Sequence, residues 1–88
     1  MKGWFTNWRF PLSSLQPDLY RRMIELLVAA RKEAWLTQAE LGKRLGQRQT
    51  FVSKFELGER RLDAAEFLVI SRAIGVDPYT VMREAEAA

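Results

Sequence analysis

Apolar residues recur along most of the chain at spacings of three and four, the period of α-helices buried along one face. The clearest series is Tyr20, Met23, Ile24, Leu27, Ala30 and Ala34. Pro17 stands ahead of it, where a first helical position has no use for an amide proton, and Asp18 sits beside the positive end of the helix. A first helix from about Pro17 to Ala34 follows. Leu36 then precedes Thr37-Gln-Ala-Glu40, a capping box in which the threonine and glutamate side chains satisfy each other's free amides, with Leu36 and Leu41 as its hydrophobic staple. The second helix so begun runs to Leu45 and closes at Gly46, which accepts left-handed backbone.

After a short connection, Val52 and Phe55 fall on one side of a third helix that starts near Arg48 and stops at Gly58. Asp63 and Glu66 form a second capping box, stapled by Leu62 and Phe67. The fourth helix carries Phe67, Leu68, Ile70, Ala73 and Ile74 and ends at Gly75. Asp77-Pro78 opens a fifth, with Tyr79, Val81, Met82 and Ala85 on offer for burial. Neither strand-like alternation nor an internal repeat interrupts this order. The expectation is an all-α fold, a compact five-helix bundle made by residues 17–88. Residues 1–16 are expected to be an aromatic N-terminal extension: Trp4, Phe5, Trp8 and Phe10 crowd ahead of Pro11. A leader, a strap over the protein's own surface and an arm reaching a partner subunit or DNA all fit that segment.

Composition narrows the chemistry. With 88 residues there is room for one domain. The absence of Cys and His removes disulfides, the common zinc sites, thiol nucleophiles and imidazole bases. No pairing among the remaining polar residues requires catalysis, so no enzyme activity, metal or cofactor is expected. The longest apolar run, Leu26 to Ala30, is far too short for a membrane span, and a cytoplasmic protein is expected.

The net charge of +3 conceals a partition. Residues 43–61 hold Lys43, Arg44, Arg48, Lys54, Arg60 and Arg61 against Glu56 and Glu59. Residues 62–88 hold Arg72 and Arg83 against Asp63, Glu66, Asp77, Glu84 and Glu86. A salt-bridged, solvated surface would give the same pattern, so charge alone does not decide.

The second and third helices, joined by a tight turn, carry the sharper signal. Gly42 lies where the third helix would cross the second, Gly46 supplies the turn, and Leu41, Leu45, Val52 and Phe55 can lock the two together. At 3.6 residues per turn, Thr50, Ser53 and Lys54 point away from Val52 and Phe55, with Gln49 beside them at the helix start.

Leu36-Thr-Gln-Ala-Glu-Leu-Gly-Lys-Arg-Leu-Gly46, followed by Val52-Ser-Lys-Phe-Glu-Leu-Gly-Glu-Arg60, resembles the Cro and phage-repressor (XRE) helix-turn-helix family over roughly Pro17 to Ala85. The resemblance implies a lambda-repressor-like domain that binds double-stranded DNA, a transcriptional repressor acting on an inverted-repeat operator as a homodimer. It puts the start of the third helix in the major groove, with Gln49, Thr50, Ser53 and Lys54 as candidate base contacts. Lys43, Arg44, Arg48, Arg60 and Arg61 become candidate phosphate contacts, and Gln38 joins them from the start of the second helix. It also implies an ion pair between Arg31 and Glu56 tying the first helix to the third. Two positions depart from the family pattern: Trp35 stands where glycine is usual, and Arg48 where many relatives place a capping Ser or Thr. An antitoxin or anti-repressor module, whose main partner is another protein such as a toxin, is the alternative function.

Overall fold

The computed structural model describes residues 17–88, and the aromatic extension expected over 1–16 lies outside them. Five helices follow in order: α1 (Pro17–Glu33), α2 (Gln38–Leu45), α3 (Gln49–Glu56), α4 (Ala64–Ile74) and α5 (Pro78–Ala87). The all-α architecture expected from the periodicity is present, with no strand among the described residues.

Local chemistry sets the boundaries. Thr37 Oγ1 accepts from the Glu40 amide at 3.0 Å while the Thr37 amide donates to Glu40 Oε1 at 2.8 Å. Asp63 and Glu66 repeat the exchange at the start of α4, at 2.7 and 3.0 Å. Asp77 accepts from the Tyr79 amide and starts α5. Helices α1, α2 and α4 all stop by one device, in which a left-handed residue turns the chain and two amides reach back to the last carbonyls. In α2 these bonds run from Gly46 to Lys43 and from Gln47 to Gly42; in α4 they run from Gly75 to Arg72 and from Val76 to Ser71. In α1 the left-handed residue is Trp35, at φ +59°, bonded to Lys32 while Leu36 bonds to Arg31.

Ile24 and Leu27 of α1, Leu41 of α2, Val52 and Phe55 of α3, Phe67, Ile70 and Ile74 of α4 and Val81 of α5 make one contiguous core. The helices are joined by polar ties as well as by apolar contact. Arg22 Nε donates to the Ala85 carbonyl in the last turn of α5 at 2.7 Å, and Arg44 Nη1 to the Ala73 carbonyl in the last turn of α4 at 2.8 Å. Both cations sit at negative helix ends. Among the described residues no helix is long and apolar enough to cross a membrane, and no cluster of acidic residues could hold a metal ion.

Candidate nucleic-acid interface

Helix α3 is held by its apolar side. Val52 and Phe55 are wholly buried, which turns Gln49, Thr50 and Lys54 out to solvent. Ser53, expected to share that face, is half-buried at its edge. The angle between α2 and α3 depends on Gly42. A Cβ there would lie 2.9 Å from the Gln47 carbonyl oxygen and 3.2 Å from the Arg48 carbonyl group, so only glycine lets the turn pass this close.

The N-terminus of α3 is electropositive and open. Arg48 is its N-cap residue, makes no side-chain cap, and is followed by no acidic residue in the first turn. A concavity of about 600 Å³ opens beside it, lined by Gly46, Gln47, Arg48, Thr50, Phe51, Lys54 and Arg60. Its lining holds three cationic side chains and no carboxylate. Amides without a side-chain cap at a positive helix end, with cations around them, form a receptor for an anion.

Behind this surface lies the ion pair implied by the family resemblance. Arg31 Nε donates to Glu56 Oε2 at 2.7 Å and Arg31 Nη2 to Glu56 Oε1 at 3.0 Å, with the two side chains only 9% and 7% exposed. A third donor, Arg31 Nη1, meets the Leu36 carbonyl at 2.8 Å. Gln38 Nε2 donates to Glu56 Oε1 at 2.9 Å, and Gln38 Oε1 accepts from Gln49 Nε2 at 3.3 Å. Gln38 thus joins the buried pair to the exposed start of α3.

The other basic residues occupy distinct places. Arg60 packs on the Phe51 ring and makes a two-pronged pair with Glu66, at 3.1 and 2.7 Å. That pairing holds the Glu66 carboxyl below the usual range, with the Asp63 amide as the next cause, and raises the Arg60 guanidinium. Arg61 lies over Tyr20, 4.0 Å from the ring centroid, where the Tyr20 hydroxyl accepts from the Leu62 amide. Lys43 and Arg44 line a separate hollow with Leu36 and Glu40. The carboxyl of Glu40 is held low chiefly by the Thr37 amide, then by the Thr37 hydroxyl. Thus Arg48, Thr50, Lys54 and Arg60 converge on one concavity, Gln38 and Gln49 pair beside it, and Lys43, Arg44 and Arg61 stand apart.

A family model described as helix-turn-helix matches residues 27–81. Among solved structures, an XRE-family like protein from Pseudomonas syringae pv. tomato str. DC3000 is 49% identical over 78% of this chain and 84% of that one, with a TM-score of 0.75. The chain belongs to the XRE family of helix-turn-helix proteins. No curated protein matches it. The XRE match begins inside α1, takes in α2, α3 and α4 whole, and ends in the first turn of α5. The fold is therefore that of a DNA-binding regulator. Within this XRE domain, sequence reasoning missed the partners of Arg44, Arg60 and Arg61 and the contact between Gln38 and Glu56. Those contacts span loops or separate helices, where helical periodicity carries no signal. The Asp63–Glu66 capping box, which fixes the Glu66 carboxylate at the start of α4, is the signal from which its pairing with Arg60 could have been found.

Proposed function

We propose that this XRE-family protein is a sequence-specific transcriptional repressor that binds an inverted-repeat operator in double-stranded DNA as a homodimer. The observation that carries the reading is the start of α3, where amides without a side-chain cap and a concavity lined by Arg48, Lys54 and the Glu66-paired Arg60 adjoin exposed Gln49, Thr50 and Lys54. A phosphate in that concavity would set the helix against the major groove, bringing Gln49, Thr50 and Lys54 to base edges and Ser53 to their margin. Arg48 is the principal phosphate ligand in this reading, and Gln38 supports it through its second amide proton. Arg61 and Lys43 extend the contact along the backbone. Arg60 and Arg44 contribute less, because each already serves an internal acceptor.

Dimerisation follows from reach. One eight-residue recognition helix spans too few base pairs for useful specificity, and two-fold related half-sites about one helical turn apart supply the rest. Exposed Tyr79 on α5 and Val69 on α4 offer apolar area for the second copy. Selecting bound duplexes from a random pool and weighing the complex tests both parts. An inverted repeat holding two protomers is expected; no enriched sequence, or one protomer per specific duplex, would count against the proposal.

A further inference from the structure

We propose that Trp35 is itself a DNA contact, its indole lying against a deoxyribose of the strand that borders the groove, beside the base pairs that α3 reads. This rests on the DNA-binding reading above.

Two unfavourable features meet at this residue. Trp35 has a left-handed backbone, at φ +59°, shared among the described residues only by glycines. Its side chain is 89% exposed, more than any other large apolar side chain among the described residues. Neither the strain nor the exposed ring is offset within the fold, and positions of this kind are found where a ligand supplies the missing contact.

The corner that carries the ring is firmly built. The Trp35 amide donates to the Lys32 carbonyl at 3.0 Å and the Leu36 amide to the Arg31 carbonyl at 3.1 Å. Leu36 is buried, and its carbonyl accepts from Arg31 Nη1 at 2.8 Å. A ring with two rotatable bonds on such a backbone loses little freedom on binding.

The place of this corner follows from α2. Gln38, three residues on, accepts from Gln49 Nε2 at 3.3 Å, so the start of α2 lies against the reading end of α3. Three residues span at most about 11 Å, and the major groove is about 12 Å wide. With Gln49 at base edges, the turn leading into α2 comes within reach of the bordering strand. That strand presents apolar sugar edges between phosphates. An indole has an apolar face for the sugar and a single N–H to donate to a phosphate oxygen. Being uncharged, it releases no counterion.

Wild type, Trp35→Gly, Trp35→Asn and Trp35→Phe are titrated against the selected duplex, against the same duplex with its flanks trimmed pair by pair, and against a scrambled duplex, at several salt concentrations. Glycine and asparagine both accept the left-handed turn, so loss of the indole is separated from loss of the corner. Each should weaken binding to the selected and scrambled duplexes alike, by about tenfold, with the salt slope unchanged. Trp35→Phe should retain most of the affinity. Trimming should weaken wild type at a step to which Trp35→Gly and Trp35→Asn are indifferent. In a Trp4→Phe/Trp8→Phe background, where Trp35 is the remaining tryptophan, its emission should move to the blue and become shielded from acrylamide on DNA.

Equal affinity of Trp35→Gly and wild type, with Trp35 emission unchanged on DNA, overturns the contact while DNA binding stands, and turns the exposed ring toward a protein partner instead. A loss in Trp35→Gly that Trp35→Asn does not share assigns the effect to the turn and overturns it equally. So does a loss confined to the selected duplex, which would make Trp35 a base contact. If wild type binds no duplex at all, the DNA-binding reading fails and the Trp35 contact falls with it.

Discussion

Trp35 adopts a left-handed conformation that costs an ordinary residue about 1–2 kcal/mol, yet its side chain is 89% exposed and recovers little of that cost by packing. Trp35→Gly should therefore stabilise the fold by up to about 1 kcal/mol, the strain removed less the extra chain entropy of glycine. A lowered thermal midpoint would mean that Trp35 has contacts that offset its strain. Glu56 behaves oppositely. Glu56→Ala strands the buried Arg31 guanidinium and should cost about 3–5 kcal/mol, and an unchanged midpoint would show the pair to be solvated. Both residues were legible as departures from, or matches to, a family pattern. The unusual Trp35 conformation was legible for a further reason: helix end signals lie within a few residues of each other. The role of Gln38 was not legible, because its two partners lie on another helix, 18 and 11 positions along the chain.

At the scale of elements, the α2–α3 corner tests how far local propensity can be overruled. Gly42→Ala should gain about 1 kcal/mol from helix propensity. The added carbon would sit 2.9 Å from a backbone oxygen that cannot swing aside. Overpacking of this kind costs about 1–3 kcal/mol, so the expected net effect is destabilisation, with DNA affinity falling more than stability because α3 is displaced. Equal or higher stability and unaltered binding would show that the corner opens freely. The capping boxes predict a pH dependence. Both Glu40 and Glu66 have carboxyls held below the ordinary value, Glu40 mainly by the Thr37 amide and Glu66 mainly by Arg60. A depressed carboxyl contributes stability that is complete above its unfolded value and is lost as pH falls through its folded value. Thermal midpoints should fall on acidification below the ordinary glutamate range. Glu66→Gln keeps the reciprocal cap without the titratable charge and should flatten that fall. An identical slope in Glu66→Gln would remove Glu66 from the explanation. The helices, their caps and the apolar face of α3 could be read in advance because each rests on residues within a turn or two of one another. The half-burial of Ser53 could not, since its position on the edge of α3 depends on how the neighbouring helices close over it.

Over the whole molecule, the basic stretch 43–61 folds into several separate places rather than one uniform patch, and this divides the cations by role. Arg61 stacks on Tyr20 without a carboxylate partner among its contacts, while Arg60 is paired with Glu66. Arg61→Ala should weaken binding to all duplexes alike and reduce the salt slope by about one unit. Arg60→Ala should change the slope less, because Arg60 must leave Glu66 to meet a phosphate. Equal changes in the two slopes would show that the Glu66 pair does not persist on DNA. The central claim, that α3 reads sequence from its N-terminal end, is met most directly by titrating wild type and Gln49→Ala against the selected duplex and a scrambled one at several salt concentrations. Gln49→Ala should lose about 1–3 kcal/mol on the selected duplex only, with the salt slope and binding to the scrambled duplex unchanged. Equal weakening on both duplexes with a smaller salt slope would make Gln49 a backbone contact and contradict the claim.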